Sequence, residues 1–103
     1  MDETEQLTRD AVLQTLRDHQ PALAQRYGVR SLAVFGSVAR NEATDASDVD
    51  LLVEFNRPVG LFDLFALQDE LTIILGRPVD VGTKASLKPR VRERVLEEAI
   101  YVG

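Results

Sequence analysis

The sequence predicts an α/β fold in which a small mixed β-sheet packs against helices. Two short apolar runs, residues 32–35 and 51–55, have the length and composition of buried strands. Around them, apolar residues recur at helical spacing, and glycine or proline stands at several boundaries. The chain has 103 residues and no repeat or long linker, so we expect residues 1–103 to form a single domain.

The first 41 residues predict two helices, a strand, a turn and a third, short helix. Residues 4–19 repeat apolar side chains at helical spacing, and Pro21 and Gly28 are placed to begin and end a second short helix. Residues 31–35 then form a strand that ends at a Gly36-Ser37 turn. Residues 38–41 continue as a short helix, so the amides of this turn are expected at a helix amino terminus.

The remainder predicts three further strands and two helices. After a polar turn at residues 41–47, residues 48–55 form the second strand. Residues 61–75 form an amphipathic helix that Gly76 and Pro78 terminate. Residues 78–81 form a short strand, residues 86–99 a final helix, and residues 100–102 an edge strand. In the final helix, Val91, Val95 and Leu96 are expected to face inward.

The composition excludes several classes of protein. With 17 acidic and 12 basic residues, the net charge of -5 argues against direct binding to a nucleic-acid backbone and fits a protein that recruits Mg²⁺. The absence of cysteine excludes disulfides and thiolate zinc sites. The acidic amino terminus lacks the apolar core of a signal peptide, and no apolar run approaches the roughly 20 residues of a membrane span. We therefore expect a cytoplasmic protein that does not bind membranes.

The most informative pattern is the Gly36-Ser37 turn followed by Asp48 and Asp50 at the start of the second strand. Side chains alternate along a strand, so the two carboxylates share a face while Val49 points into the core. Two such carboxylates supply the oxygen ligands that Mg²⁺ prefers. Glycine lets the backbone approach a phosphate closely, and the Ser37 hydroxyl and helix-terminal amides supply donors to it.

Asp80 repeats the pattern in the third strand, between two valines. If that strand lies beside the second, Asp80 completes a cluster of three carboxylates that repel one another without bound cations. Two Mg²⁺ ions about 3.5–4 Å apart then stabilise the attacking and leaving oxygens of an in-line displacement. In this hypothesis Asp80 also assists deprotonation of the acceptor hydroxyl.

Some side chains have both a functional and a structural interpretation. Arg40 lies about one helical turn after the Gly36-Ser37 turn and contacts either phosphate or a neighbouring carboxylate, Glu42 or Asp45. Phe62 and Phe65 are candidates for nucleotide stacking or partner contact, or are simply surface residues. One basic cluster forms either a solvated helix face or a contact for nucleotide or an acidic partner: Lys84, Lys88, Arg90, Arg92 and Arg94.

The spacing of Gly36-Ser37, Asp48, Asp50 and Asp80 resembles that of the nucleotidyltransferases of the DNA polymerase beta superfamily, and the likeness covers residues 31–101. The short chain is similar to the minimal nucleotidyltransferases, which often act as antitoxins beside HEPN ribonuclease toxins. The resemblance implies that Gly36 and Ser37 hold the nucleotide phosphates and that the three aspartates bind Mg²⁺. It also implies a type VII-like pair in which AMP passes from ATP to a tyrosine of the toxin, within a hetero-oligomer.

Other functions stay open. A binding module that neutralises its partner by steric contact is the main alternative, and transfer to a small molecule such as an aminoglycoside suffers from the lack of room for an acceptor-binding domain. A haloacid-dehalogenase phosphatase and an EF-hand are rejected, because Leu52 follows the acidic pair within a strand, where neither motif fits. No residue distinguishes ATP from CTP or GTP; ATP is what the resemblance implies.

Overall fold

The structure, a computed structural model, describes residues 8–44 and 46–102 and confirms the predicted α/β class. Its strands are β1 (Val29–Phe35), β2 (Val49–Phe55), β3 (Val79–Gly82) and β4 (Ile100–Tyr101). Its helices are α1 (Arg9–Tyr27), α2 (Gly36–Ala39), α3 (Leu61–Leu75) and α4 (Pro89–Glu98), and a 3₁₀ turn spans Lys84–Ser86. None of the helices within the described ranges is long and apolar enough to cross a bilayer.

The four strands form one mixed sheet in the order β3-β2-β1-β4. β1 runs antiparallel to both β2 and β4, whereas β2 and β3 are parallel. The third strand therefore lies beside the second, as the sequence predicted. In the β2–β3 register Asp50 is opposite Asp80, and in the β1–β2 register Asp50 is opposite Phe35. The acidic end of β2 thus meets the end of β1 and the start of β3.

The two faces of the sheet carry cores of different size. One face packs against α1 and α3, and the other packs Ala33 and Leu52 against Val95 of α4. Because side chains alternate along β2, Asp50 shares the α4 face with Leu52. The larger core on the first face includes the buried residues Val12, Leu16, Leu23, Leu32, Val34, Val49, Leu51, Val53, Leu67 and Leu71.

The prediction of two separate amino-terminal helices was wrong, because α1 is one continuous helix that contains Pro21. Proline removes a hydrogen bond from a helix interior, but Pro21 is exposed, whereas Leu16 and Leu23, two turns apart, are both fully buried. Because α1 buries one of these leucines before the proline and the other after it, packing favours a helix that continues through Pro21 without a break. Thr8 caps its start by accepting from the Ala11 amide, Gly28 ends it at φ 72°, and residues 4–7 of the predicted first helix lie outside the described residues.

The final helix is shorter and less buried than predicted. α4 begins at Pro89, after the 3₁₀ turn, and Val95 is buried while Val91 and Leu96 are exposed. On this face the sheet presents only a narrow apolar strip, formed by Ala33 and Leu52. Val95 of α4 packs on the strip, and Leu87 is partly buried beside it. Hydrophobic periodicity indicated the helix but did not reveal the width of the surface that receives it.

Candidate active site

Gly36 stands where β1 ends and α2 begins. Its φ of 75° lies in the left-handed region, and a Cβ added there would collide with the Asp50 carboxylate oxygen Oδ2. Both observations require glycine at this position. The carboxylate of Asp50 therefore fits against the turn in the space that a side chain at position 36 would occupy, which couples the predicted phosphate-binding turn to the predicted metal ligand.

Asp50 is the half-buried member of the predicted carboxylate set. Burial first, and then the negative charges of Asp80 and Asp48, raise the pKa of the Asp50 carboxyl above its ordinary value, and Arg40 opposes this shift. Asp48, just before β2, and Asp80, opposite Asp50 in β3, are exposed. The structure thus places the three side chains at one end of the sheet. There the charges of Asp48 and Asp80 both disfavour the ionised form of Asp50.

The donor chemistry at this end of the sheet fits Mg²⁺, since every candidate ligand is a carboxylate oxygen and a cation would relieve the repulsion. The carboxylates do not converge as they stand: within residues 8–44 and 46–102, no group of three or more His, Cys, Asp or Glu side chains is gathered closely enough to hold a metal ion. The backbone brings the aspartates to adjacent positions, and closure around a cation requires side-chain rotation of the exposed pair, Asp48 and Asp80.

Ser37 is half-buried in the first turn of α2. Its hydroxyl has no hydrogen bond to any residue in the described part of the chain, whereas its carbonyl oxygen accepts from the Glu42 amide at 2.8 Å. The backbone of the turn is therefore held while the hydroxyl stays available. Among the described residues, this hydroxyl can therefore meet a phosphate without breaking a contact, whereas the Gly36 amide is already engaged.

The Gly36 amide and Arg40 both contact a carboxylate that the sequence analysis missed. The Gly36 N–H donates to Glu98 Oε2 at 3.0 Å, and Arg40 Nη1 donates to Glu98 Oε1 at 3.0 Å. Arg40 Nε donates to Glu42 Oε1, also at 3.0 Å, which confirms the predicted ion pair with Glu42. Hydrogen bonds to Glu42 and then to Glu98 raise the pKa of Arg40 further. Asp45, the other proposed partner, lies outside the described residues.

Glu98 is the last residue of α4, and 62 positions separate it from Gly36 along the chain. Its side chain is 23% exposed. The sequence contained no motif that distinguishes it from the adjacent Glu97. Only the tertiary fold, which places the end of α4 against the start of α2, brings Glu98 to the turn.

The structure separates Phe62 and Phe65 from the aspartates. β2 leads away from Asp50 for five residues, about 16 Å at a rise of ~3.3 Å per residue, and the chain then turns before α3 begins at Leu61. This placement does not favour nucleotide stacking at the aspartates by these phenylalanines. With Leu61 and Ile73 they form an exposed apolar surface on α3, Phe62 being 90% exposed, and this surface keeps the alternative role in partner contact.

The basic cluster is partly engaged within the chain. Lys84 Nζ pairs with Glu54 Oε2 at 3.0 Å, and Arg92 Nη2 donates to the Leu87 carbonyl oxygen at 3.3 Å. Its other members are exposed at the start of α4 or along it: Lys88, Arg90 and Arg94. The cluster is thus divided between internal contacts and a solvated helix face.

Comparison with known proteins agrees with the geometry. Residues 16–102 match the family model of the nucleotidyltransferase domain. The protein adenylyltransferase MntA of Thermococcus cleftensis is 41% identical over 96 residues, which cover 93% of this chain and 97% of the relative. A solved structure described provisionally as a minimal nucleotidyltransferase superposes with a TM-score of 0.78 at 40% identity, covering 94% of this chain and 98% of that one.

A more distant likeness concerns the fold alone. The structure of a toxin–antitoxin pair with AMP-PNP contains a chain that superposes with a TM-score of 0.67 at 19% identity. The match covers 92% of this chain and 72% of that one. The same sheet and helices therefore occur in a member of such a pair.

Proposed function

The chain belongs to the nucleotidyltransferase domain family and is a nucleotidyltransferase, and we propose that it is a protein adenylyltransferase that moves AMP from ATP to a tyrosine of a HEPN-type toxin. The single observation that carries the proposal is the placement of Asp50 against the Gly36-Ser37 turn and in register with Asp80. This placement supports a single site in which the turn holds phosphate and the carboxylates hold metal.

The residues of this site have distinct proposed roles. Ser37 donates its free hydroxyl to a phosphate oxygen, and Gly36 leaves the space in which Asp50 lies. Asp48, Asp50 and Asp80 hold Mg²⁺, most simply as two ions. When bound, the metal neutralises the triphosphate and stabilises the attacking and leaving oxygens.

Arg40 is proposed to contact the phosphates through Nη2. Its Nε and Nη1 donate to the two glutamates, whereas Nη2 makes no hydrogen bond to the described residues. The Arg40 side chain is 48% exposed, so an incoming phosphate can approach it from solvent. A planar guanidinium with one free edge suits a phosphate oxygen.

The transfer step balances in a simple way. The acceptor oxygen attacks the α-phosphorus of ATP, the bond between that phosphorus and the pyrophosphate oxygen breaks, and pyrophosphate leaves. The proton of the acceptor hydroxyl passes to Asp80, which is exposed beside Asp50 and therefore accessible to an incoming protein chain.

The acceptor is proposed to be a protein tyrosine, which can approach the end of the sheet where the exposed Asp48 and Asp80 lie. The protein adenylyltransferase MntA supports this proposal, since it matches nearly its whole length to this chain. The shared fold with a member of a toxin–antitoxin pair supports a type VII-like antitoxin role in a cytoplasmic hetero-oligomer. In this proposal the partner brings the acceptor tyrosine to the site.

Intact mass spectrometry of the partner that co-purifies from native cells tests the proposal. With the wild-type chain, the partner is expected to gain the mass of one or more AMP groups, and with Asp48→Asn/Asp50→Asn it is expected to remain unmodified. Asp63→Asn/Asp69→Asn is the matched control, because it removes the same charge from exposed positions on α3. A modified partner in the presence of the Asp48/Asp50 variant contradicts the proposed site.

A second candidate is an antitoxin that neutralises its partner by steric contact alone. The exposed apolar surface of Leu61, Phe62, Phe65 and Ile73 on α3 favours it, since such a surface suits a protein interface. An unmodified partner bound equally by the wild type and the Asp48/Asp50 variant would support this candidate over the transferase.

A further inference from the structure

We infer that Glu98 is a positioning residue that holds the nucleotide-binding turn in its working geometry, an inference that rests on the proposed function for its consequence in catalysis. Its carboxylate contacts two groups of the site, the Gly36 amide and the Arg40 guanidinium, and neither the motif nor its spacing includes it. The inference assigns a role to the carboxyl end of α4, which otherwise only packs on the sheet.

The geometry makes Glu98 a clamp on α2. This helix has four residues and no side-chain cap of its own at Phe35. Glu98 Oε2 accepts from the Gly36 amide at its start, and Oε1 accepts from Arg40, the residue that caps its end. One carboxylate thus spans the whole helix, and Ser37 lies between the two points of attachment.

A helix this short does not persist without external contacts. Fixing the backbone of its first turn costs more free energy than the hydrogen bonds of that turn recover. Glu98 is itself held firmly, since the chain continues directly into β4, where Ile100 is opposite Val34 of β1. Burial of Val38 and Ala39 in the core holds one side of α2, and Glu98 adds a long-range contact at the start and end of the helix. Loosening that contact is expected to misplace the Ser37 hydroxyl relative to Asp50.

The same contact has a competing physical interpretation with the opposite consequence. A carboxylate on a backbone amide resembles a phosphate oxygen on that amide, so Glu98 would then obstruct the nucleotide and have to leave before it binds. Removing the charge would in that case tighten nucleotide binding, whereas a positioning role predicts that binding depends on the reach of the side chain. The sign of the effect separates the two.

The test compares Glu98→Gln with Glu98→Asp in the isolated full chain. Glutamine keeps the side-chain length and an oxygen that accepts from the Gly36 amide, whereas aspartate keeps the charge but is one methylene too short to span both contacts. Glu97→Gln and Glu97→Asp are matched controls on the adjacent, exposed carboxylate. The readouts are the Kd of a nonhydrolysable ATP analogue with Mg²⁺ and the hydrogen-exchange rate of the Gly36 amide.

We expect Glu98→Asp to weaken analogue binding and to speed Gly36 amide exchange, each by about tenfold or more, as the loss of a charge-assisted hydrogen bond predicts. Glu98→Gln keeps an oxygen for the Gly36 amide but loses the acceptor for Arg40, so it should weaken binding less than Glu98→Asp does. Both Glu97 variants should stay within about threefold of the wild type. Unchanged Gly36 exchange in Glu98→Asp, or tighter binding in Glu98→Gln, overturns the inference. The amide readout needs no turnover, so a chain that never modifies a partner refutes the proposed function and leaves this test intact.

Discussion

The two faces of the sheet differ in what their residues do. The face against α1 and α3 carries the larger buried core, with Leu16, Leu23 and Leu71 fully excluded from solvent. The face against α4 carries a strip of three buried residues and, at its end, the half-buried Asp50 beside two further aspartates. One face therefore supplies most of the stability, while the other tolerates like charges at close range. This difference predicts that activity and stability can be changed separately.

The largest expected effect is the loss of activity in Asp50→Asn. If the α4 face carries the chemistry, AMP transfer should fall by about a thousandfold, which corresponds to ~4 kcal/mol in the activation barrier. The melting temperature without Mg²⁺ should hold or rise, because the substitution relieves repulsion from Asp48 and Asp80. Transfer rates and thermal unfolding on the same samples check both parts. A large fall in melting temperature would break the separation between the two faces.

Matched leucine truncations compare the cores directly. Leu16→Ala, in the larger core between the sheet and helices α1 and α3, is expected to lower the free energy of unfolding by ~4 kcal/mol. Leu52→Ala, in the smaller core beneath α4, is expected to lower it by ~2 kcal/mol, because fewer apolar neighbours surround Leu52. Urea unfolding followed by circular dichroism measures both. Equal losses would show that the narrow strip beneath α4 packs as tightly as the larger core.

Added Mg²⁺ is expected to stabilise the wild-type chain by about 1–3 kcal/mol when present well above its dissociation constant, since an ion that binds only the folded state shifts the unfolding equilibrium. The carboxylates of the α4 face should account for the whole effect, so Asp48→Asn/Asp50→Asn should abolish it and Asp63→Asn/Asp69→Asn should preserve it. Thermal unfolding with and without MgCl₂ measures the difference. Stabilisation that persists in the Asp48/Asp50 variant would place the ion elsewhere.

The smallest effect concerns an ion-pair cluster at the edge of the α1–α3 face. Glu70 accepts from Tyr27 at 2.8 Å and from Arg26 at 2.7 Å, and these contacts, Tyr27 first, lower the pKa of Glu70 against the opposing effect of burial. A lowered folded-state pKa gives stability that is present above the unfolded value and lost as the pH falls through the folded one. Glu70→Gln should therefore flatten the acid side of the stability profile.

The expected change in Glu70→Gln is modest, because Arg26 is 60% exposed and exposed ion pairs are weak. Unfolding experiments that run from neutral pH to below the ordinary pKa of a glutamate resolve the change best at low salt. Identical profiles for the wild type and the variant would mean that the cluster contributes no proton-linked stability.

The parts of the fold that follow local rules were predictable. β1, β2 and α3 follow from apolar runs bounded by glycine and proline, and the bounds of α3 agree with those predicted. The approach of Asp50 to Asp80 followed from strand alternation together with the assumption of adjacent strands. In each case a short segment contained its own signal.

The rest depended on contacts between distant segments. Pro21 lies within a continuous helix only because burial of Leu16 and Leu23 outweighs the local penalty. Glu98 reaches Gly36 across most of the chain, and no local pattern distinguishes it from its neighbour. Tertiary packing, which a single sequence does not display, determines both.

The fit of Asp50 into the space beside Gly36 also has a consequence for how the gene can vary. Positions 36 and 50 form one unit of selection, because a methyl group at the first displaces the carboxylate at the second. If Asp50 has the proposed role, a lineage that keeps the reaction is expected to keep both residues. A lineage that has given up the reaction is freed first at position 50, and only afterwards at position 36, where the left-handed backbone still favours glycine or asparagine. A relative with glycine at position 36 and another residue at position 50 would then be at the first stage of that loss.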